Sequence, residues 1–417
     1  MHPSQLIRTA ALAATLLLAA ACKYPYELEI ERGDYPLVVE GDIQIGAKST
    51  LTLSFSQPLD KKAYNPPAIK ATGYIEGEDG TRVDGAAPIS YTSQAYNTLE
   101  FDTSHLRPDQ RYRLHFDAET TFSPDILSSS SYADVQAGGF SFERRSFESD
   151  WLTVCPAPVI DDLSYSLDEA RDELDIGLSM HCQGSSHFRW TYSEDWEYHS
   201  DILSSYHFDE ETRTVLMGGG NVYYCWRHED ATHISIFSTE NQIEDRFEDL
   251  DFHHVPLADR RLQMLYRITL QLTALSEDAY AYWRTVRQNT EEQGSIFAPT
   301  PSALASNVHC TSHPDYQVLG YLNAAQVAQA QMYYDNSVAQ YHQDPPGGYY
   351  EKLEMQVPID SLSNLEAYRA GYLPYRQIYE GTSTVPTHYM WAAAICIDCR
   401  RSGGTTTKPA DWPSNQE

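Results

Sequence analysis

The spacing of apolar residues along the chain predicts a protein built mainly of β-strands. Between residues 37 and 121, short runs alternate apolar and polar side chains with the period of two that buries one face of a strand. Turn signals such as Glu78-Asp79-Gly80 and Arg107-Pro108-Asp109 separate the runs. Short strands at such spacings are typical of a small sandwich. We therefore expect an N-terminal immunoglobulin-like or fibronectin-like domain over residues 37–150, with strands near 37–39, 51–55, 70–75 and 112–116.

The remainder of the chain predicts a larger β-rich domain over residues 151–412, followed by a tail at 413–417. Apolar runs at 159–166 and 174–180 flank a polar turn and indicate a hairpin. Residues 329–332 alternate as in a strand, although their propensity is helical. Between the two domains, the Ser- and Gly-containing residues 124–150 predict a long surface loop.

One helix is predicted near residues 276–293. Ser276 can cap its N-terminus, and Glu277 and Asp278 suit the positive end of the helix dipole. Gly294 can end it. Apolar residues that recur at helical spacing predict a face turned to the core: Ala279, Tyr282, Trp283 and Val286.

The N-terminal residues predict export and lipid anchoring. Residues 1–21 combine Arg8, a 13-residue apolar run and the small residues of Ala19-Ala20-Ala21 directly before Cys22. The run is too short for a permanent membrane span and looks like a bacterial lipobox, although Ala19 stands where leucine is usual. We expect cleavage before Cys22, acylation of that cysteine, and an acidic tether over residues 22–36.

Charge and composition change the list of possible partners. The chain has 29 Lys and Arg against 59 Asp and Glu, a net charge of -30, which argues against nucleic acid and anionic lipid as ligands. The 30 tyrosines favour β-sheets and rigid recognition surfaces.

After Cys22, six cysteines remain, an even number that predicts up to three disulfides in an exported protein. Cys155 and Cys182 lie almost symmetrically about the predicted hairpin, and we expect them to pair. The other four allow three connectivities or a four-thiolate zinc site, of which disulfides are favoured outside the cytoplasm. These four are Cys225, Cys310, Cys396 and Cys399.

No motif in the sequence specifies an active site, a metal or a cofactor. The histidines lack the spacing of a helical zinc motif, and no Gly-x-Ser-x-Gly nucleophile elbow occurs. Glu194, Asp195 and Glu197 flank Trp196 and resemble a glycosidase-like acid pair, but such runs are common on solvated strand faces. Aromatic residues are the candidates for ligand binding, with core packing as the alternative for most of them: Trp190, Trp196, Tyr198, Tyr223 and Trp226.

Several motifs together resemble one known family. They include Leu37-Val38-Val39-Glu40-Gly41-Asp42, Tyr224-Cys225-Trp226, Gly294-Ser295-Ile296-Phe297 and the closing Cys396-Ile397-Asp398-Cys399. In number and order they look like the domain of unknown function 4249, a family of Bacteroidota lipoproteins. His187-Phe188 departs from the usual pair of tyrosines, and Cys155 and Cys182 look like additions to the four cysteines that the family shares.

The resemblance implies a cellular location and a class of partner protein. It assigns no catalytic residues to this sequence. Members look like outer-membrane lipoproteins encoded beside TonB-dependent transporters. We therefore expect a non-enzymatic lipoprotein, facing outward, that is an accessory or substrate-binding subunit of such a β-barrel. The alternatives are a structural subunit of an outer-membrane assembly or secretion machine, and a hydrolase that uses an acidic pair.

Overall fold

The computed structural model describes residues 36–56, 69–86, 97–120, 143–168, 170–218, 222–291, 306–339 and 343–413. The protein is mainly β, with several sheets and few helices, as the alternating pattern predicts. The predicted signal peptide, Cys22 and the tether up to residue 35 lie outside the described residues. Across those ranges, helices with the length and apolar character needed to cross a bilayer do not occur.

Two sheets that face each other across one core form the first sandwich. A four-stranded sheet has the order β20-β1-β3-β6, and an eight-stranded sheet contains β19-β8-β7-β9-β21-β2 with β4 and β5. Both sheets contribute to one continuous apolar cluster. The strands are β1 (Leu37–Glu40), β2 (Asp42–Gln44), β3 (Lys48–Phe55), β4 (Lys70–Gly77), β5 (Arg82–Asp84), β6 (Asn97–Asp102), β7 (Arg111–Thr120), β8 (Glu143–Ser149), β9 (Leu152–Cys155), β19 (Val308–Cys310), β20 (Val318–Leu319) and β21 (Asn323–Ala325).

The first sandwich is not continuous in sequence, which differs from the expected boundary near residue 151. Strands β1 and β2 pair in parallel with β20 and β21 from much later in the chain. Strand β9 lies beyond the expected boundary and still joins the eight-stranded sheet. The predicted loop at 124–150 also ends earlier than expected, because residues 143–149 pair with β7 as strand β8. Its residues 124–142 lie outside the described part of the chain.

A second sandwich encloses a second core. One sheet has the order β10-β11-β17, and the other has the order β15-β12-β18-β22 with β16 paired to β12. The predicted hairpin is confirmed as β10 and β11, and residues 329–332 are in a strand. The strands are β10 (Val159–Asp168), β11 (Glu173–His181), β12 (His187–His199), β15 (Tyr224–Asp230), β16 (Ser235–Ser238), β17 (Arg246–Pro256), β18 (Leu265–Leu275) and β22 (Val327–Asp335).

Smaller elements complete the described chain. Two small sheets consist of β13 (Tyr206–Asp209) with β14 (Thr214–Met217), and of β23 (Met355–Pro358), β25 (His388–Ala393) and β24 (Tyr372–Ile378). The α-helices are Glu277–Glu291, Asn336–Ala339, Ser361–Arg369 and Ala394–Ile397, and short 3-10 turns occupy Arg260–Leu262 and Cys399–Ser402.

The helix predicted near 276–293 is present as Glu277–Glu291. Its cap is the predicted one, because the Ser276 hydroxyl accepts a hydrogen bond from the backbone N–H of Ala279 at 3.2 Å. Ala279 is buried, and Trp283 packs near it in a small apolar cluster. The predicted stop, Gly294, lies outside the described residues.

A buried ion pair joins the two sandwiches. The Asp42 carboxylate of β2 contacts the Arg189 guanidinium of β12. The Arg189 guanidinium also lies over the ring of Trp283, 4.7 Å from its centre. Asp42 is 5% exposed, so this charge is held inside the protein by its partner.

Candidate functional site

Strand β12 is the element that organises the candidate site, because both of its faces carry functional side chains. Successive side chains of a strand point to opposite faces. Glu194, Trp196 and Tyr198 therefore share one face, while Asp195 and Glu197 share the other. Their separate partners, described below, agree with this division.

On the first face, a cleft of about 390 Å³ opens beside β12 and β15. Strands supply part of its lining, and the rest comes from the turn around Arg260 and from single residues much later in the chain. We call it the arginine cleft because three of its nine lining residues are arginines. Its lining residues are Trp196, Tyr198, Arg227, Glu229, Asp259, Arg260, Arg261, Tyr350 and Ser402.

Arg260 has no carboxylate within ion-pair distance among the residues that the structure describes. Its Nη2 donates to the carbonyl oxygen of His199 at 2.5 Å, and its Nη1 lies 3.4 Å from the Ser402 hydroxyl. Its Nε is buried without a hydrogen-bond partner. Three tyrosine rings surround the guanidinium, with centres 4.5, 5.0 and 5.4 Å from its Cζ: Tyr198, Tyr349 and Tyr350.

The other two arginines of the cleft are engaged in ion pairs. Arg227 pairs with Glu229 and donates to the Ser402 carbonyl oxygen at 2.9 Å. Arg261 pairs with Asp259 at 2.9 Å and with Glu194 at 2.7 Å. Burial opposes the charge on Arg261, but the hydrogen bond to Asp259 and the negative charge of Glu194 outweigh it and raise its pKa.

A disulfide stiffens the floor of the cleft. Cys225 of β15 and Cys399 are bonded, and they join segments 174 residues apart. The Tyr198 hydroxyl donates to the Cys399 carbonyl oxygen at 2.9 Å. Tyr198 is 1% exposed, so the aromatic floor is held from behind by the core. Such support fixes the positions of side chains that would contact a ligand.

The acidic run on β12 is buried, whereas the sequence favoured a solvated strand face for it. Glu194, Asp195 and Glu197 are each 6% exposed. Glu194 accepts hydrogen bonds from the Tyr266 hydroxyl at 2.7 Å and from His253 at 3.2 Å. Burial opposes its ionisation, but the bond from His253 and the charge of Arg261 outweigh it and hold its pKa below the usual range.

On the second face of β12, the C-terminal segment covers the remaining carboxylates. Arg267 bonds Asp195 at 2.9 Å and Asp411 at 2.6 Å. The Trp412 indole N–H donates to Glu197 at 3.0 Å, and Trp412 is only 4% exposed. An acid pair for hydrolysis would need access to one substrate. Here Glu194 is on the opposite face from Asp195 and Glu197, and these two are enclosed.

The five aromatic candidates do not form one site. Only Trp196 and Tyr198 line the arginine cleft, and both also belong to the core. Trp190 packs against Phe237 and Phe252. Tyr223 stacks on His199, and Trp226 is paired with Glu197 on the second face.

The predicted Cys155–Cys182 disulfide is absent, since both sulfur atoms are thiols. Cys155 lies in β9 of the first sandwich, whereas Cys182 follows β11 of the second. The intervening Pro156 and Pro158 lead the chain from one sandwich to the other. Burial and the charge of Asp42 raise the pKa of the Cys155 thiol to about 11, which keeps it protonated at neutral pH.

Of the remaining four cysteines, Cys225 and Cys399 form the disulfide, while Cys310 and Cys396 are buried thiols. The four do not form a thiolate zinc site, because a disulfide removes two of the ligands.

One group on the surface brings three potential metal ligands within 4.8 Å of one another, namely Glu173, Asp175 and His254. Arg171 already pairs with Asp175 at 2.8 Å, and His254 bonds the same carboxylate at 2.7 Å. The Arg171 guanidinium competes with a cation for this carboxylate.

Sequence reasoning missed Arg227, Arg260, Arg261, Tyr350 and Ser402. The local signal was the Asp259-Arg260-Arg261 run, one of three pairs of adjacent arginines in an acidic chain.

Comparisons with known proteins identify one domain family. Residues 141–331 match the model of the family described as Domain of unknown function (DUF4249). No curated protein matches the chain. A crystal structure of a DUF4785 family protein from Legionella pneumophila aligns at 13% identity over 57% of this chain, with a TM-score of 0.19. The alignment spans about half of that protein, 52%.

Proposed function

We propose that this chain is a non-enzymatic, lipid-anchored binding protein of the bacterial outer membrane that works as a subunit of a TonB-dependent transporter. Its binding role rests on the arginine cleft, which combines a concave surface, aromatic rings and one guanidinium that pairs with no carboxylate of the described ranges. Ligand sites in proteins commonly join an apolar lining with a few fixed polar groups.

The chemistry of the cleft favours binding over catalysis. The carboxylate behind it, Glu194, is held ionised by Arg261 and His253. A general acid would need a carboxyl whose pKa is raised. Trp196 and Tyr198 offer rigid aromatic surface instead.

The proposed location at the outer membrane rests on two features of the sequence, the residues before Cys22 and the family match over residues 141–331. The lipobox-like residues before Cys22 predict acylation, and residues 141–331 match the domain family that the whole chain resembles. From this resemblance we further propose that the protein is a Bacteroidota lipoprotein, that it faces outward, and that it lies beside a transporter barrel.

The test is the identity of the partner in the native membrane. A tag placed after Glu417 allows gentle detergent extraction, and mass spectrometry then identifies proteins that co-purify at fixed stoichiometry. We expect a single TonB-dependent barrel. A Cys22→Ala variant is the matched control, and it should leave the membrane fraction and lose the barrel.

Two outcomes would contradict the proposal. A stable assembly of several envelope proteins without a transporter would favour a structural subunit of an assembly or secretion machine. Absence of any stoichiometric partner would leave an independent binding protein.

A further inference from the structure

We infer that the arginine cleft binds a small organic anion, in which a carboxylate or phosphate group is attached to a ring. This inference rests on the binding role proposed above and names the class of ligand.

The charge distribution is the first argument. Acidic residues outnumber basic ones 59 to 29 in this chain, so arginines are expected to be widely spaced among carboxylates. In the cleft, three arginines stand beside two acidic residues, Glu229 and Asp259. Both acidic residues are already paired, with Arg227 and Arg261 respectively. Arg260 is therefore the arginine of the cleft that forms no ion pair with a described carboxylate.

The donors of Arg260 are the second argument. A guanidinium carries five N–H groups. One N–H of Nη2 is directed to the His199 carbonyl and one of Nη1 to the Ser402 hydroxyl, while the Nε–H is buried. Each terminal nitrogen thus keeps a second N–H. A guanidinium can match the two oxygens of a carboxylate or phosphate with one N–H group from each terminal nitrogen.

The surroundings of Arg260 are the third argument. Tyr350 and Trp196 line the cleft; Tyr350 is half-buried and offers ring surface, whereas Trp196 is 5% exposed and contributes an edge of its ring. The volume of about 390 Å³ suits a small ligand of one or two rings. Aromatic side chains stack on flat apolar faces, including those of sugar rings. A ligand that pairs its anionic group with Arg260 can therefore also cover a ring face.

The test is a titration of the purified full chain in detergent with three probes: glucuronate, glucose 6-phosphate and glucose. Isothermal calorimetry reports the affinity, and the intrinsic tryptophan fluorescence, to which Trp196 contributes, provides a second signal. We expect saturable binding of at least one of the two anions, and binding of neutral glucose at least tenfold weaker. Arg260→Gln should weaken anion binding by about tenfold to a hundredfold, the usual effect of one charge-assisted pair.

Matched variants separate a binding role from a structural one. Arg376→Gln is the control, because Arg376 is an exposed guanidinium lying over a tyrosine ring, that of Tyr375, outside the cleft. It should bind the anion as the unmodified protein does. Arg260→Lys keeps the charge, and it should retain more affinity than Arg260→Gln. Thermal unfolding of each variant shows whether the fold is kept, and if Arg260→Gln unfolds, the lysine variant still reports a several-fold loss.

Three results would overturn the inference: equal binding of glucose and the anions, no binding of either anion at 10 mM (roughly the weakest useful affinity), or unchanged anion binding in both Arg260 variants. These results are distinguishable from failure of the proposed function, because the transporter partner is identified by co-purification without any ligand.

Discussion

At the scale of single residues, Glu194 shows how a buried charge is held inside the second sandwich. Its carboxylate meets Arg261, His253 and Tyr266, and it is 6% exposed. Glu194→Gln would leave His253 without its carboxylate and Arg261 with Asp259 as its remaining described carboxylate partner. We therefore expect it to lower the free energy of unfolding by about 1–3 kcal/mol. Urea unfolding at pH 7 measures the change.

The matched control for Glu194 is Glu248→Gln, on an exposed side chain of β17. It should change the free energy of unfolding by less than about 0.5 kcal/mol. Equal losses of free energy of unfolding in the two variants would show that the buried contacts of Glu194 stabilise the protein no more than an exposed carboxylate does.

The pH dependence of the Glu194 variant follows from the lowered pKa of this carboxyl. A carboxyl that has a lower pKa in the folded protein than in the unfolded chain stabilises the folded protein at pH values above its unfolded-state pKa. This stabilisation is lost as the pH falls through the folded-state pKa. The difference in stability between the unmodified protein and Glu194→Gln should therefore be greatest above about pH 5 and shrink at lower pH. A constant difference from pH 7 down to acid unfolding would contradict the role of the charge.

Residues of the candidate site could be predicted from the sequence only in part. Trp196 and Tyr198 were singled out because aromatic residues dominate recognition surfaces, and they line the cleft. The burial of Glu194 and Asp195 was not foreseen, because their counter-charges Arg261 and Arg267 are 67 and 72 residues away. Pairings over such distances leave no periodic pattern in the chain.

At the scale of elements, local patterns predicted strands and the long helix well. Strands β1, β3, β4 and β7 were visible because one side of each faces a core, and Ser276 marked the start of the helix. The parallel pairing of β1 with β20 could not be predicted, because the alternation of apolar and polar residues in a strand does not indicate which other strand it pairs with. Two-residue strands such as β20 are also too short to show alternation.

The C-terminal segment is attached to the second sandwich through specific contacts of Trp412. The indole is buried, bonds Glu197 and lies near Arg267, 5.3 Å from ring centre to Cζ. Trp412→Ala removes this ring and leaves Glu197 buried without its donor. We expect a loss of about 3–5 kcal/mol in the free energy of unfolding, measured by chemical denaturation.

The control for Trp412 lies in the same segment. Lys408 is exposed, and Lys408→Ala should leave the free energy of unfolding unchanged within about 0.5 kcal/mol. If Trp412→Ala also left the free energy of unfolding unchanged, the C-terminal segment would contribute nothing to the stability of the second sandwich.

At the scale of the whole molecule, the Asp42–Arg189 pair couples the two sandwiches. Its partners are 147 residues apart, and Asp42 Oδ1 and Arg189 Nε are buried without hydrogen bonds. We expect Arg189→Met to cost about 3–5 kcal/mol in the free energy of unfolding, because the Asp42 charge would then be buried alone. Adding Asp42→Asn should recover part of that loss.

A double-mutant cycle measured by urea unfolding gives the coupling between these two residues. A coupling below about 0.5 kcal/mol would show that the two sandwiches are joined by other contacts and that this pair contributes little.

The parallel pairing of β1 with β20 and of β2 with β21 also sets the order in which the molecule can be completed during synthesis. These partners are about 280 residues apart. When β1 and β2 leave the ribosome, the strands that will cover their open edges have not yet been made. Strands of the second sandwich from β10 to β18 can pair before then, whereas β1 and β2 wait for strands that are made about 280 residues later. Until that time their unpaired strand edges are open to aggregation, and a holding chaperone would have its greatest effect there.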